Sequence, residues 1–167
     1  SMRFSSAFTT ISGRVFDNNL ESINGYLLSL AGKVSSFKGG DFYFGLGTGK
    51  GTSHFFDTFN GKNSDLVFDP IDERFETVVE SAGYLAYSHA LPKNLSASVS
   101  VGASSLSNKD FQLDEAFSHS FNALFNIFWQ PADGARLGIE YANGKRFDKG
   151  DRYGTANRVS LLMYYDF

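Results

Sequence analysis

Strict alternation of apolar and polar residues constrains the fold of this chain more than any other feature. In residues 95–103, LSASVSVGA, every second side chain is apolar, and serine or glycine occupies the positions between. Residues 117–129 show the same pattern over a longer span. Because successive side chains of a strand point to opposite sides of the sheet, such segments are predicted to be strands with one apolar and one polar face.

Eight segments follow this pattern, and they are longer than most strands of globular proteins. They cover residues 3–16, 23–37, 41–52, 76–90, 95–106, 116–130, 135–147 and 153–167. The connections after the second, fourth and sixth segments are short, and those after the third, fifth and seventh are longer. Outer-membrane barrels alternate in this way between short periplasmic turns and long extracellular loops. We therefore expect an all-β fold, an antiparallel transmembrane β-barrel of eight meandering strands, over residues 1–167 as a single unit. The opening Ser1-Met2 is typical of a cloning remnant.

The composition of the two predicted faces favours contact with lipid over a soluble core. The polar face consists of serine, glycine and asparagine with isolated charges, which suits a crowded or water-filled interior. Aromatic residues make up 16% of the chain and cluster near the strand ends, as bilayer interfaces select. Those near the short turns are Phe42, Tyr87, Trp129, Tyr165 and Phe167, and those nearer the long loops are Tyr26, Phe117 and Tyr141. A soluble ligand-binding barrel is the alternative.

Several other classes of protein are excluded or disfavoured by composition. The formal net charge of −3 offers no basic surface for nucleic acid, so no nucleic-acid partner is expected. The absence of cysteine removes disulfides and thiol chemistry. No apolar run is long enough for a membrane-spanning helix.

Isolated charges on the predicted polar face are the candidate pore-lining residues. They are Arg14, Lys33, Glu80, Arg136, Glu140 and Arg158. In a wide pore these side chains would meet water, and their cationic excess would favour anions. In a closed eight-stranded barrel they would have to pair with one another, because unpaired buried charges are costly.

The longest connection, residues 54–75, contains too many phenylalanines for a loop surrounded by water. We predict that it packs against the lumen and narrows the pore, or against a neighbouring subunit. The candidate constriction residues are Phe55, Phe56, Phe59 and Phe68.

The C-terminal MYYDF has aromatic and apolar residues at every second position. Met163, Tyr165 and Phe167 resemble the signal by which the barrel-insertion machinery recognises outer-membrane proteins.

No enzymatic or cofactor chemistry is predicted. His119 and Ser120, with Glu115 nearby, could suggest a catalytic triad, but adjacent strand residues point to opposite faces. The acidic residues of the longest connection and the DKGD sequence at 148–151 could hold calcium, although solvated acidic loops are common. The glycines of GLGTGKGTS, residues 45–53, lack phosphate-loop spacing and are instead predicted to let a strand bend or approach a neighbour. We therefore expect no catalytic residues, no metal and no cofactor.

A series of segments resembles the C-terminal half of a DcaP-like porin. They are GKGTSHFFDTFNG (49–61), GYLAYSHALPKNLSASVSVGAS (83–104), LGIEYANGKRFDKGD (137–151) and the terminal MYYDF. The resemblance implies a trimeric, sixteen-stranded channel of the Gram-negative outer membrane, embedded in lipid, for passive diffusion of small hydrophilic, anionic solutes. The sequence matches only about half of such a barrel. The alternative is a closed eight-stranded outer-membrane barrel with a structural, adhesive or ligand-holding role and no open channel.

Overall fold

The chain folds into one large antiparallel sheet. The computed structural model describes residues 1–14, 20–36, 39–59, 61–62 and 64–166. The eight long strands are β1 (Met2–Arg14), β2 (Leu20–Ser35), β3 (Gly40–Lys50), β6 (Val79–Leu91), β7 (Leu95–Leu106), β8 (Phe117–Ala132), β9 (Ala135–Asp148) and β10 (Tyr153–Tyr165). Between β3 and β6 lie two 3-10 turns, Ser53–Phe55 and Asp57–Phe59, and a small hairpin of β4 (Val67–Asp69) and β5 (Arg74–Glu76). All eight predicted strands are confirmed, and β7 has the predicted bounds.

The long strands follow one another as a meander in the order β1-β2-β3-β6-β7-β8-β9-β10. Among the described residues, β1 and β10 pair only with β2 and β9, so the sheet is open. The antiparallel all-β prediction is therefore confirmed, whereas closure into an eight-stranded barrel is not.

The strand register separates the side chains into two faces. One face, called the apolar face, contains large hydrophobic side chains that remain exposed along the whole sheet. Its members include Phe4, Phe8, Leu28, Leu46, Leu85, Val99, Val101, Phe125, Ile139, Leu161 and Met163. Leu161, for example, is 84% exposed. A soluble monomer rarely exposes so large a continuous apolar surface, which therefore requires a covering.

The opposite face, called the loop-bearing face, is built mainly of small and polar residues. Its members include Ser29, Ala31, Gly45, Gly47, Ala82, Ser98, Ser100, Gly102, Asn122, Asn126 and Ser160. The connection between β3 and β6 packs on this face.

The connections alternate in length much as predicted. The short ones span residues 36–39, 92–94 and 133–134, and the third turns through Gly134 at a φ of 75°. The connections at residues 51–78 and 107–116 are long. Residues 149–152 form a tighter connection than the sequence predicts, because β9 and β10 continue their pairing as far as Phe147 and Tyr153.

The buried core is small and lies between the sheet and the long connection. It consists of Phe59, Val78, Leu106 and Phe117. The prediction that Phe117 lies on the apolar face is wrong, because a bulge between Phe117 and His119 adds a residue and reverses the alternation. Within the described part of the chain, no helix is long and apolar enough to cross a membrane.

Candidate functional site

The connection of residues 51–78 covers part of the loop-bearing face, and glycines of β3 form its seat. Gly45, Gly47 and Gly49 share this face. A Cβ atom on Gly47 would lie 2.7 Å from the Phe56 ring, and one on Gly49 would lie 2.6 Å from the carbonyl oxygen of Tyr26. Both distances are shorter than real Cβ contacts, so a side chain at Gly47 would displace the Phe56 ring of the connection, and one at Gly49 would press on the backbone of β2. This confirms the prediction that these glycines allow close approach of a neighbour.

A buried carboxylate anchors the beginning of this connection. Glu80 is fully buried and accepts hydrogen bonds from the backbone N–H and, at 2.6 Å, from the hydroxyl of Thr52. Thr52 is fully buried as well. A buried polar group that loses its hydrogen-bond partner is costly, so this contact fixes where the chain leaves β3. Glu80 lies on the predicted face, but it is covered by the connection.

The aromatic side chains of the connection pack on the sheet. Phe59 is 1% exposed, and its ring meets the rings of Phe56 and Phe117 edge-on at centroid distances of 5.5 and 5.9 Å. The hydroxyls of Thr58 and Ser104 lie 3.1 Å apart and add a polar contact to β7. The connection therefore packs against the sheet, as the sequence predicts.

The other two candidate constriction residues differ from Phe56 and Phe59. Phe55 is 52% exposed, and its ring lies 4.2 Å from the His54 ring, centroid to centroid, at an interplanar angle of 39°. Phe68 packs edge-on against Phe75 at 5.5 Å within the small hairpin. Of the four candidates, Phe56 and Phe59 thus contact the sheet, and Phe55 faces outward.

The small hairpin reaches back to the first strands of the sheet. The backbone N–H of Phe75 donates a 2.8 Å hydrogen bond to the carboxylate of Glu21 on β2. Nearby, Lys109 forms a 2.6 Å ion pair with Glu76. The hydrogen bond from Lys109 lowers the pKa of Glu76 despite the opposing effect of desolvation. These contacts thus join the connection to β2 and to the connection at residues 107–116.

Asp65 organises the first turn of the connection. Its carboxylate accepts a 2.9 Å hydrogen bond from the hydroxyl of Ser53 and lies 3.1 Å from the His54 ring nitrogen Nδ1. Burial alone raises the pKa of Asp65, but the hydrogen bonds from His54 and Ser53 outweigh it and hold the pKa below its usual value.

A cavity of about 370 Å³ lies between this connection and the sheet. Phe56 and Thr58 line it from the connection, and Ala82, Ser104 and Asn122 line it from the strands. The connection thus leaves a partly apolar cavity between itself and the sheet.

Most charged side chains of the loop-bearing face are paired. Lys33 forms a 2.8 Å ion pair with Asp41, its diagonal neighbour on β3. Arg158 forms a 3.0 Å ion pair with Glu140, so the structure brings together two of the predicted residues. The third pair on this face is Arg146 with Asp148, at 2.9 Å.

Within the part of the chain that the structure describes, Arg136 has no carboxylate partner. Its guanidinium lies 4.9 Å from the ring centroid of Phe128 and 4.7 Å from that of Tyr164, all on the loop-bearing face beside the short turn at 133–134. Arg3 shares this face and, within the described residues, also has no ion pair. Of the described strand charges on this face that have no ion pair, Arg3 and Arg136 are exposed, whereas Glu80 is buried and the half-buried Glu21 accepts a hydrogen bond from the backbone N–H of Phe75.

Arg14 is a correction to the predicted set. Its register partner is Leu20, and it lies on the face of Phe8, opposite to Lys33. The prediction placed it by its polarity, whereas the alternation of β1 puts Arg3, not Arg14, on the loop-bearing face.

Sequence reasoning also missed several residues of this site. Asp41 could have been found, because a short turn fixes the register that places it diagonally from Lys33. The contacts of Thr52 with Glu80, and of Asp65 with Ser53, join residues that no sequence pattern relates.

The remaining sequence candidates are separated in space. His119 stacks on Phe147 at 4.3 Å on the apolar face, whereas the Ser120 hydroxyl bonds Ser104 on the loop-bearing face. No group of three potential metal ligands occurs in the described ranges. Met163 lies on the apolar face of β10 with Tyr165, and Phe167 lies outside the described residues.

Comparison with known proteins identifies relatives of this architecture. The model of the DcaP outer membrane protein family matches residues 55–167. Among solved structures, the outer membrane channel DcaP of Acinetobacter baumannii matches with a TM-score of 0.76 and 18% sequence identity. The match covers 100% of this chain but 53% of the channel, so the chain spans about half its length. A comparison with curated proteins finds no match.

Proposed function

The chain belongs to the DcaP outer membrane protein family, and on that premise we propose that it forms one wall of a diffusion channel. It resides in the Gram-negative outer membrane. In this proposal the apolar face contacts lipid, and the loop-bearing face lines a water-filled path for small hydrophilic solutes. The protein then acts by passive passage, without catalysis or a cofactor.

The observation that carries this proposal is the separation of side chains between the two faces. Large hydrophobic residues such as Val101 and Leu161 remain exposed on one face, while serine, glycine and paired charges occupy the other. Exposed apolar area costs about 25 cal/mol per Å² in water, and this cost disappears in hydrocarbon. A membrane barrel has this arrangement, with an apolar exterior and a polar lumen.

The seated connection favours a wide lumen over a closed eight-stranded barrel. Side chains alone nearly fill an eight-stranded barrel, whereas sixteen strands leave an aqueous channel. Here the loop-bearing face accommodates two 3-10 turns, a hairpin and the buried Phe59 in addition to its own side chains. We infer that β1 and β10 pair with further strands and that the eight strands are part of a sixteen-stranded barrel.

Within that barrel, the connection of residues 51–78 would narrow the path. The segment that carries Phe56, Thr58 and Phe59 lies over the face that the solute would pass. Phe55, exposed and next to His54, is the constriction candidate that faces the open side.

We propose a preference for anionic solutes, supported by the pairing of charges. Lys33, Arg158 and Arg146 are each neutralised by a carboxylate, and Glu80 is buried. Arg136 and Arg3 are the exposed strand charges that have no ion pair among the described residues, and the half-buried Glu21 is engaged by the backbone N–H of Phe75. The variant Lys33→Glu with Arg158→Glu should also weaken an anion preference, because each change leaves an unpaired carboxylate cluster on the path.

Association into a homo-oligomer, a trimer by the resemblance, and delivery by the barrel-insertion machinery complete the proposal. Cross-linking of the protein in intact outer membranes tests the trimer, and accumulation of unfolded protein on depletion of the insertion machinery tests the delivery.

Conductance in planar lipid bilayers tests the channel directly. Protein extracted from outer membranes should give stepwise conductance with an ohmic current–voltage relation and a reversal potential that favours anions in a salt gradient. Heat-denatured protein is the control. Folded, detergent-bound protein that gives no steps would favour the alternative, a closed barrel with a structural, adhesive or ligand-holding role.

A further inference from the structure

The charged residues of the apolar face all have the same sign. Arg14, Lys50 and Lys145 are its charged strand residues. The acidic residues of the long strands all lie on the loop-bearing face, and they are Glu21, Asp41, Glu80, Glu140 and Asp148. The apolar face is thus purely cationic where it is charged at all.

These cations also lie at one end of the sheet. Arg14 ends β1 and Lys50 ends β3, both where the chain enters a connection on the side of residues 51–78. Lys145 lies near the same end of β9. At the opposite end, beside the short turns, the strands carry no lysine or arginine on this face.

Polar side chains accompany the cations at this end. The hydroxyl of Tyr141 and the amide of Asn143 both donate to the Asn157 side-chain oxygen, at 2.7 and 2.8 Å. Thr10 donates to Asn24 at 2.9 Å on the first two strands. The band of purely apolar side chains therefore ends before the strands reach the three cations. This places the cations at the level of the lipid headgroups.

Lys145 is held at the surface by aromatic rings. Its Nζ lies 4.1 Å from the ring centroid of Tyr153 and 4.7 Å from that of Phe147, and His119 stacks on Phe147. Ring faces attract the ammonium group without using its N–H donors. Among the described residues, none of the three cations has an ion-pair partner.

We propose that Arg14, Lys50 and Lys145 bind the phosphate groups of anionic lipids in the leaflet on the long-connection side. Arginine binds phosphate through two parallel donors, and lysine binds it as a point charge. Cations that only contacted interfacial water would be expected at both ends of the strands. These three cations lie at one end. The inference rests on the proposed lipid contact of the apolar face and is independent of solute passage.

Binding of lipid A in detergent micelles tests this proposal. Protein extracted from outer membranes is titrated with bisphosphorylated lipid A and with the same lipid after removal of its phosphates, and bound lipid is counted by native mass spectrometry. The three cations lie on β1, β3 and β9, too far apart for one lipid to contact all of them. In the variant Arg14→Gln/Lys50→Gln/Lys145→Gln, each site should therefore bind the bisphosphorylated form roughly fivefold more weakly, since each cation near an anionic lipid surface contributes a factor of about five.

A control variant with the same change of charge is Arg3→Gln/Lys109→Gln/Arg152→Gln, whose cations lie on the loop-bearing face and in the connections at residues 107–116 and 149–152. It should bind as the unmodified protein does. Equal loss in both variants, no loss in the first, or complete displacement of the lipid by millimolar inorganic phosphate would overturn the proposal. Conductance recorded on the same samples separates this result from the channel, because the first variant should conduct normally even when lipid binding is lost.

Discussion

Glu80 holds Thr52 by two hydrogen bonds to one carboxylate oxygen, one from the backbone N–H and one from the hydroxyl. Through this pair, Glu80 near the start of β6 fixes the start of the connection that lies on the loop-bearing face. The contact joins residues that are 28 positions apart.

Thr52→Val should loosen the connection. The substitution keeps the side-chain volume but removes a donor to a buried carboxylate, which costs about 1.5–3 kcal/mol. Limited proteolysis of the folded protein should then cut residues 51–78 faster. Thr155→Val, on exposed β10, should leave the rate unchanged. Equal cleavage in both variants would show that the hydroxyl does not anchor the connection.

Phe59→Ala should detach the same segment through packing. Removal of a buried phenylalanine typically costs about 3–5 kcal/mol. Because Phe59 joins the connection to Phe117, hydrogen exchange at residues 56–62 should accelerate while the exchange of β7 changes little. Phe55→Ala, at an exposed ring, is the matched control and should cost less than about 1 kcal/mol. Slow exchange in the Phe59 variant would contradict the assigned core.

Acidification should release the turn that Asp65 organises. Because the folded state lowers the pKa of this carboxyl, its contribution is present above the unfolded value of about 3.9 and is lost as the pH falls through the folded value. Protease sensitivity of residues 51–78 should rise below about pH 4. Asp65→Asn should be sensitive already at neutral pH and show a weaker dependence in this range. A parallel pH dependence in both proteins would rule out Asp65 as its origin.

Arg136→Glu should reduce anion preference. Among the described residues Arg136 has aromatic neighbours and no carboxylate partner, so in the proposed channel its reversal changes the charge that solutes would meet. The anion-to-cation permeability ratio should fall by roughly two- to fivefold, because a surface charge interaction in water is worth about 1 kcal/mol or less. The exchange Glu140→Arg/Arg158→Glu keeps the ion pair with no change of net charge and should leave the ratio near its original value. The reverse order of effects would remove Arg136 from the path.

Leu161→Arg and Ser160→Arg distinguish the two faces on one strand. Leu161 lies on the apolar face and Ser160 on the loop-bearing face. An arginine facing lipid at the bilayer midplane costs about 2–4 kcal/mol, whereas one that faces the lumen meets water. The fraction of protein with the heat-modifiable gel mobility should fall for Leu161→Arg and stay near normal for Ser160→Arg. Equal loss in both variants would contradict the assignment of the apolar face to lipid and of the loop-bearing face to water.

The strands could be predicted because alternation is a local property of the sequence. Residues 95–106 and 135–147 are assigned almost to the residue, since period-two burial leaves few alternative registers. Where an extra residue interrupts the alternation, as at the bulge between Phe117 and His119, the residue on its far side changes face, and Phe117 was misplaced for that reason. Polarity alone misplaced Arg14 for a related reason, because a strand end can carry a charge on either face.

The site could be predicted only in outline. The phenylalanines of residues 54–75 indicated a segment that packs, and Glu140 with Arg158 indicated charges on one face. The seat of that segment depends on Gly47 meeting Phe56 and on Glu80 meeting Thr52, contacts between residues distant in sequence. No periodicity encodes such contacts, because they depend on how the whole connection folds back.

The open edges of β1 and β10 set a condition on how the molecule enters its membrane. Peptide N–H and C=O groups along an unpaired edge cost several kcal/mol each in hydrocarbon, since no water is there to bond them. An open sheet with two such edges is therefore not a stable intermediate of insertion into the bilayer. Strand pairing at β1 and β10 must be completed before or during insertion, which makes folding and membrane entry one event for this chain.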